Sequence, residues 1–440
     1  MKISSKIKKV YIALSGDILH HGHINLIQKS KRYGELTIGL LTDRAVLEKK
    51  RLPMLSWEQR KKVLENIDGV KKVVKQDEWD YSKNILKIKP NFFVHGDDWK
   101  NKNSYDHDLR IKVINILKKI NCKLIEIPHT KDVSSSLLYD KLRYSGIDKN
   151  LRKNFLRRII QNKKICRFIE AHSPMSALIA EKAYYNEKNG SKSEFDGFWS
   201  SSLTDSTLRG RPDIEVLDLS KRLSNINEIL EVTTKPLIMD ADSGGKPEHF
   251  EINIKSIERL GISAVIIEDK IGSKRNSLFD DTSNQIQDKP SEFANKILEG
   301  KKSLVTKDFM IIARIESFIL GKGVVDAIDR AYLYIDSGAD GIMIHSKSED
   351  VSEILSFCEH YKKFKKKVPL VVVPSTYNKV VEKQLIDIGV DVVIYANHLL
   401  RSSYPAMVRT AESILKNKRC YEASENCLPI KKVLELIPND

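Results

Sequence analysis

Cysteine is scarce in this chain: five residues in 440, Cys122, Cys166, Cys358, Cys420 and Cys427, an odd number without one CxxC pair. That pattern excludes a disulfide framework and a cysteine-built zinc site. No apolar run reaches the ~20 residues of a membrane-spanning helix. Met1 to Lys9 leads into a strand-like run, not into the apolar core and cleavage site of a secretory leader. The expectation is a cytoplasmic protein with no membrane partner. Also missing is a basic face or recognition module to match the net charge of +16. The lysines are scattered, with a local excess between Lys141 and Lys164. The charge is read as solvated surface and attraction for anionic substrates, not as a nucleic-acid site.

What is present is enough for two cores. The length exceeds one ordinary domain, and 41% of the residues are hydrophobic. Val10 to Leu14, Leu36 to Leu41, Asn91 to His95 and Lys123 to Ile127 read as strands. His23 to Arg32, Glu58 to Ile67 and Ser135 to Arg143 read as helices. This alternation predicts an α/β domain over residues 1–145, with a parallel, doubly wound, Rossmann-like sheet. Residues 146–162 form a basic stretch with a helical pattern, a linker or the first helix of the next domain. Residues 163–440 then show eight short buried strands separated by helical stretches: Phe168–His172, Phe195–Ser201, Leu237–Asp242, Ala264–Lys270, Met310–Ser317, Gly341–Ser346, Leu370–Ser375 and Val392–His398. Eight such units predict a (β/α)8 barrel. Polar residues gather at the C-terminal ends of these strands, the face where this fold places active sites.

The first chemical motif is His20–His21–Gly22–His23, an HxGH between a strand and a helix, preceded by Gly16–Asp17. Gly22 lets backbone approach a phosphate, and a helix N-terminus adds partial positive charge. The imidazoles of His20 and His23 can donate to an α-phosphate as charge develops on it. A metal pair or a surface histidine cluster would use the same residues. The motif is followed by Ser56–Trp57–Glu58–Gln59–Arg60–Lys61, Val94–His95–Gly96–Asp97–Asp98–Trp99 and the stretch His129 to Ser136. Together these segments resemble the glycerol-3-phosphate cytidylyltransferase family over residues 8 to about 143. The resemblance implies catalytic roles for His20 and His23 in an HxGH nucleotidyltransferase. It implies nucleotide contacts from Asp17, Gly22, Lys50, Arg60, Asp97, Asp98, Trp99, Thr130, Ser134 and Ser135, with CTP and Mg2+. Two positions depart from the family: its arginine is His129 here and its glycine is Asp132.

The second motif is Glu268–Asp269–Lys270–Ile271–Gly272–Ser273–Lys274–Arg275–Asn276–Ser277, where carboxylates end a strand and a polar loop comes next. Such a loop can close over an anion and exclude water. Asp240 and Asp242 are two apart at a strand end, so both can serve one Mg2+ and its waters. Arg314 and His345 end later strands and can bind a phosphoryl group. These residues, with Gly197 to Leu203 and Asp213, resemble the phosphoenolpyruvate mutase branch of the isocitrate lyase superfamily, over roughly residues 163 to 400. The resemblance implies metal sites at Asp240, Asp242 and Glu268. It implies an enolpyruvate site at Trp199, Ser201 and Leu203, phosphoryl contacts from Arg314 and His345, and a lid of Lys274, Asn276 and Ser277 with Asp213 beside it. Isocitrate and 2-methylisocitrate lyases carry a cysteine in this loop, absent here. Phosphonopyruvate hydrolases carry a threonine-bearing loop, whereas Asn276 follows the mutase pattern.

The domain order resembles that of the bifunctional phosphonate-biosynthesis enzymes of the fosfomycin pathway. It implies phosphoenolpyruvate, phosphonopyruvate, CTP and a phosphonate acceptor, 2-hydroxyethylphosphonate or 2-aminoethylphosphonate, as ligands. Relatives of the barrel imply a homo-oligomer. Tyr404 to Asp440 carries no motif.

Overall fold

A computed structural model of the chain describes residues 7–101, 106–128, 130, 147–187, 192–272, 274, 276, 277 and 285–437. The helix expected over Ser135 to Arg143 lies outside the described residues, as do Ser134, Ser135, His129 and Asp132.

The first unit holds strands β1 (Lys9–Leu14), β2 (Glu35–Leu41), β3 (Val70–Gln76), β4 (Phe92–Gly96) and β5 (Lys123–Ile127). All pair in parallel, in the order β3-β2-β1-β4-β5. The chain winds one way through β1, β2 and β3, then crosses to β4. A crevice therefore opens above the carboxyl ends of β1 and β4, the usual ligand position in such sheets. Helices α1 (His21–Ser30), α2 (Asp43–Leu47), α3 (Trp57–Glu65), α4 (Ser82–Ile88) and α5 (His107–Lys119) accompany the sheet. Strand β3 was not foreseen. Its sequence, VKKVVKQ, mixes exposed lysines with a few buried positions because it is a sheet edge, where lysine discourages further pairing.

The second unit is a closed parallel barrel of eight strands, β6 (Cys166–Glu170), β7 (Gly197–Ser200), β8 (Leu237–Asp240), β9 (Ala264–Glu268), β10 (Met310–Ile315), β11 (Gly341–Ile344), β12 (Leu370–Val372) and β13 (Val392–Tyr395). All eight overlap the segments read as strands from the sequence. Alternation sorts their side chains. Ile238, Ala264, Ile266, Met310, Ile312, Met343 and Val371 form the inner cluster, whereas Met239, Val265, Ile267, Ile311, Ala313 and Ile342 pack outward against helices. Continued to the strand ends, the inward series reaches Asp240, Glu268, Arg314, Glu316 and His345, so the period of two sets the site.

The basic stretch before the barrel is a helix, α6 (Lys149–Asn162). Its Phe155, Leu156, Ile159 and Ile160 pack into the inner cluster and close the end of the barrel opposite the polar strand ends. Its arginines satisfy carbonyls there. Arg152 donates to the carbonyls of Leu230 at 2.8 Å and Lys235 at 2.7 Å, and Arg157 to those of Asp308 at 3.0 Å and Phe309 at 3.1 Å. Part of the local charge excess therefore acts in the fold instead of facing solvent. Among the described residues, no helix is long and apolar enough to cross a membrane.

Candidate active sites

In the first unit, His20 is the residue that starts α1. Its Nδ1 accepts from the Gly22 amide at 3.2 Å, and its own amide donates to His23 Nδ1 at 3.5 Å. Both Nδ1 atoms act as acceptors, so each neutral ring carries its proton on Nε2 as a donor. The ring centres are 4.0 Å apart. A Cβ on Gly22 would lie 3.0 Å from two atoms of the His20 ring, which explains glycine at this place in the motif. His20, Gly22, His23, Lys50, Asp98 and Thr130 line one cavity of about 200 Å3, together with Ser15, Asn25, Trp79, Tyr81, His95 and Asp106.

Among the described residues singled out from sequence, Asp17, Arg60, Asp97 and Trp99 are not among its lining side chains. Asp17 is buried and accepts from the amides of Met54 at 3.1 Å and Leu55 at 3.4 Å. Trp99 is 1% exposed, donates to Glu126 at 2.8 Å, and stacks on His95 with ring centres 3.8 Å apart. Asp97 sits in the short 3-10 turn Asp97–Lys100. His95 does line the cavity and was missed as a candidate; burial pushes its imidazole below the ordinary range, so it is neutral at pH 7.

Arg60 is fully buried. It donates to Asp43 at 2.6 Å, to the Leu55 carbonyl at 3.1 Å and to the carbonyl of Ser15. Asp43 is shared with Arg158 of α6 at 2.7 Å. An arginine committed to three buried acceptors positions the cavity wall and is not available to phosphate. Arg60→Met is expected to cost about 3–5 kcal/mol of front-unit stability, the range for breaking a buried ion pair from one side. Urea unfolding followed by tryptophan fluorescence checks this, because Trp57, Trp79 and Trp99 of the four tryptophans lie in that unit.

At the barrel mouth, Trp199, Ser201, Leu203, Asp213, Asp240, Glu268, Lys274, Asn276, Ser277, Arg314 and His345 line one pocket of about 70 Å3. Lys274 Nζ lies 2.6 Å from both Asp213 Oδ1 and Ser202 Oγ and also meets Asp242. Asn276 donates to Asp213 Oδ2 at 2.8 Å. Asp213 thus gathers Lys274 and Asn276 at the pocket. On the opposite wall, Arg314 donates to Glu316 at 2.5 Å and to Ser277 at 2.9 Å, and lies 3.3 Å from Glu268. His345 Nδ1 stands 2.9 Å from Glu316 and 3.0 Å from Arg314. The Trp199 indole N–H is buried with no protein partner among the described residues, a donor left for a ligand.

The charges are set by these contacts. Burial alone would raise Asp240, but Lys274, Arg314 and Arg222 outweigh it and hold the carboxyl below its usual range. Burial pushes Glu268 up to about 7 against the pull of Arg314 and Lys270. Burial would lower Lys274, yet Asp242, Asp240 and Asp213 keep it protonated. Burial, then Arg314, lowers His345. Ser202, which donates to Asp240 at 2.9 Å, and Glu316, which orients both Arg314 and His345, were not chosen from the sequence. Arg222, donating to Asp242 at 3.3 Å and Asp205 at 3.0 Å, was also missed.

Among the described residues, no three His, Cys, Asp or Glu side chains converge to hold a metal by themselves. Mg2+ does not need them to, because it takes one or two carboxylates and completes its octahedron with water and substrate oxygens. Asp240, ionised and beside Asp242 and Glu268, fits that donor set.

A family model described as "Phosphoenolpyruvate phosphomutase" matches residues 156–415, and one described as "Cytidylyltransferase-like" matches residues 16–141. The chain is 32% identical over 286 residues to the phosphoenolpyruvate phosphomutase of Tetrahymena pyriformis, covering 65% of this chain and 91% of that one. It is 34% identical over 131 residues to the glycerol-3-phosphate cytidylyltransferase of Bacillus spizizenii, covering 29% of this chain and 92% of that one. It is also similar to a crystal structure of phosphonopyruvate hydrolase in complex with oxalate and Mg2+. That structure shares 30% identity and a TM-score of 0.58, over 65% of this chain and 94% of that one.

Proposed function

We propose that this chain, which belongs to the phosphoenolpyruvate phosphomutase family and carries a cytidylyltransferase-like unit ahead of its barrel, converts phosphoenolpyruvate to phosphonopyruvate at the barrel mouth. The observation that carries the reading is the small pocket in which Arg314, His345 and Ser277 face Asp240 and Lys274, with Asn276 drawn over it by Asp213. In this reaction the bond from the enol oxygen to phosphorus breaks and a bond from C3 to phosphorus forms, with no atom lost. Arg314 and His345 hold the phosphoryl oxygens. Trp199, Ser201 and Leu203 hold the enolpyruvate end. Lys274, Asn276 and Ser277 exclude water, which would otherwise take the phosphoryl group as phosphate. Mg2+, bound through Asp240 with Asp242 and Glu268 reaching it through water, would stabilise the enolate oxygen. Chelation by EDTA is therefore expected to stop turnover, and added Mg2+ to restore it, in a steady-state assay.

The front unit transfers CMP from CTP to a phosphonate such as 2-hydroxyethylphosphonate or 2-aminoethylphosphonate, with the Nε2 donors of His20 and His23 on the α-phosphate. The protein acts in the cytoplasm as a homo-oligomer joined through the barrel. The helix His398–Asn417 supports that reading: it buries no residue and exposes Tyr404, Met407 and Leu415.

A coupled assay with phosphonopyruvate tests the barrel. A mutase gives a lactate dehydrogenase signal only when pyruvate kinase and ADP are present. A hydrolase gives pyruvate, and so a signal, without them. Release of pyrophosphate from CTP only when a phosphonate is supplied tests the front unit.

A further inference from the structure

Residues 48–55 run along the junction between the two units. Lys50 lines the front cavity, its ammonium 5.5 Å from the centre of the Trp79 ring. Arg51 reaches the barrel unit: it donates to Glu181 Oε1 at 3.0 Å and to the Glu181 carbonyl at 3.1 Å, and lies 3.3 Å from Glu194. Leu52 is 5% exposed, in the cluster that holds Phe155 and Ile159 of α6. Arg158 of α6 then donates to the carbonyls of Met54 at 3.0 Å and Leu55 at 3.2 Å, and to Asp43. Contacts just C-terminal to Lys50, at Arg51, Leu52, Met54 and Leu55, therefore come from the barrel unit, at the face opposite its mouth.

Buried or half-buried arginine pairs of this kind are costly to desolvate, and the planar fork of arginine fixes direction as well as charge. A lysine on a loop is a poor phosphate ligand unless its backbone is held, because ordering it on binding consumes affinity. We propose that Arg51 and Arg158 are positioning residues of the nucleotide site. The barrel unit holds residues 48–55 so that the Lys50 ammonium stands ready for the triphosphate of a nucleotide. This rests on the cytidylyl-transfer reading of the cavity.

The test is CTP affinity of the full chain by titration calorimetry, for the unaltered protein, Lys50→Met, Arg51→Met and the double variant. Lys50→Met is expected to weaken CTP binding about tenfold, the scale of one charge-assisted contact. Arg51→Met is expected to do nearly as much, and the double variant no more than Lys50→Met, because Arg51 acts through Lys50. Arg158→Lys keeps charge beside Asp43 but loses the fork to the two carbonyls, so it reads a second anchor. In Arg51→Met and Arg158→Lys, amide exchange over 48–55 is expected to quicken while turnover at the barrel mouth is unchanged. Unaltered CTP affinity in Arg51→Met, or losses that multiply in the double variant, would overturn the inference while leaving the nucleotide reading intact. An unaltered chain that binds no CTP would overturn that reading and the inference with it.

Discussion

Asp240→Asn is expected to lower the interconversion of phosphoenolpyruvate and phosphonopyruvate by at least about a thousandfold, since the several kcal/mol that a bound metal supplies would be lost with its main anionic ligand. The substitution nearly preserves shape. The carbonyl oxygen of the substituted side chain can still accept from the Asp242 amide, as Asp240 Oδ1 does at 3.2 Å, and its NH2 takes the place of Oδ2, where the Ser202 hydroxyl, 2.9 Å away, can turn to accept. What it removes is the negative charge that faces Lys274, Arg314 and Arg222. The barrel should therefore fold, and melting checked by circular dichroism should show it. Cytidylyl transfer in the same preparation is an internal control, because α6 packs the front unit on the opposite end of the barrel.

His20→Asn is expected to cut cytidylyl transfer by about 10^2- to 10^3-fold, the scale for removing one preorganised donor to a developing oxyanion. Asparagine is chosen because His20 has two roles. It starts α1 by accepting the Gly22 amide, a role asparagine performs well, and it carries an Nε2 donor, which asparagine lacks at that reach. Retained folding with lost turnover, read by pyrophosphate release at saturating CTP, separates the two. A small effect would mean that the ring serves only as a cap.

The barrel strands were legible because most of their residues are buried on both faces, so that they read as short, largely apolar runs. Strand β3 was not, because an edge strand with exposed lysines has no such run. The mouth residues were legible for a related reason: a strand end fixes which way a side chain faces, so Asp240, Glu268 and Arg314 could be placed from their neighbours alone. Glu316 could be placed at its strand end in the same way, but its part in orienting Arg314, like that of Arg222 beside Asp242, comes from a contact that leaves no pattern in the chain. In the front unit, Arg60 and Asp17 looked like ligand contacts, but a polar residue on a helix or after a strand can equally bond backbone, as both do. Trp99 is the same case: its ring supports His95 from behind.

The central claim concerns where the phosphoryl group goes, and phosphorus NMR of the full chain with Mg2+ and phosphonopyruvate follows it directly. The expected result is loss of the phosphonate signal with matching growth of the phosphoenolpyruvate signal, and neither change in the Asp240→Asn protein. Growth of inorganic phosphate in place of phosphoenolpyruvate would contradict it and make the barrel a hydrolase.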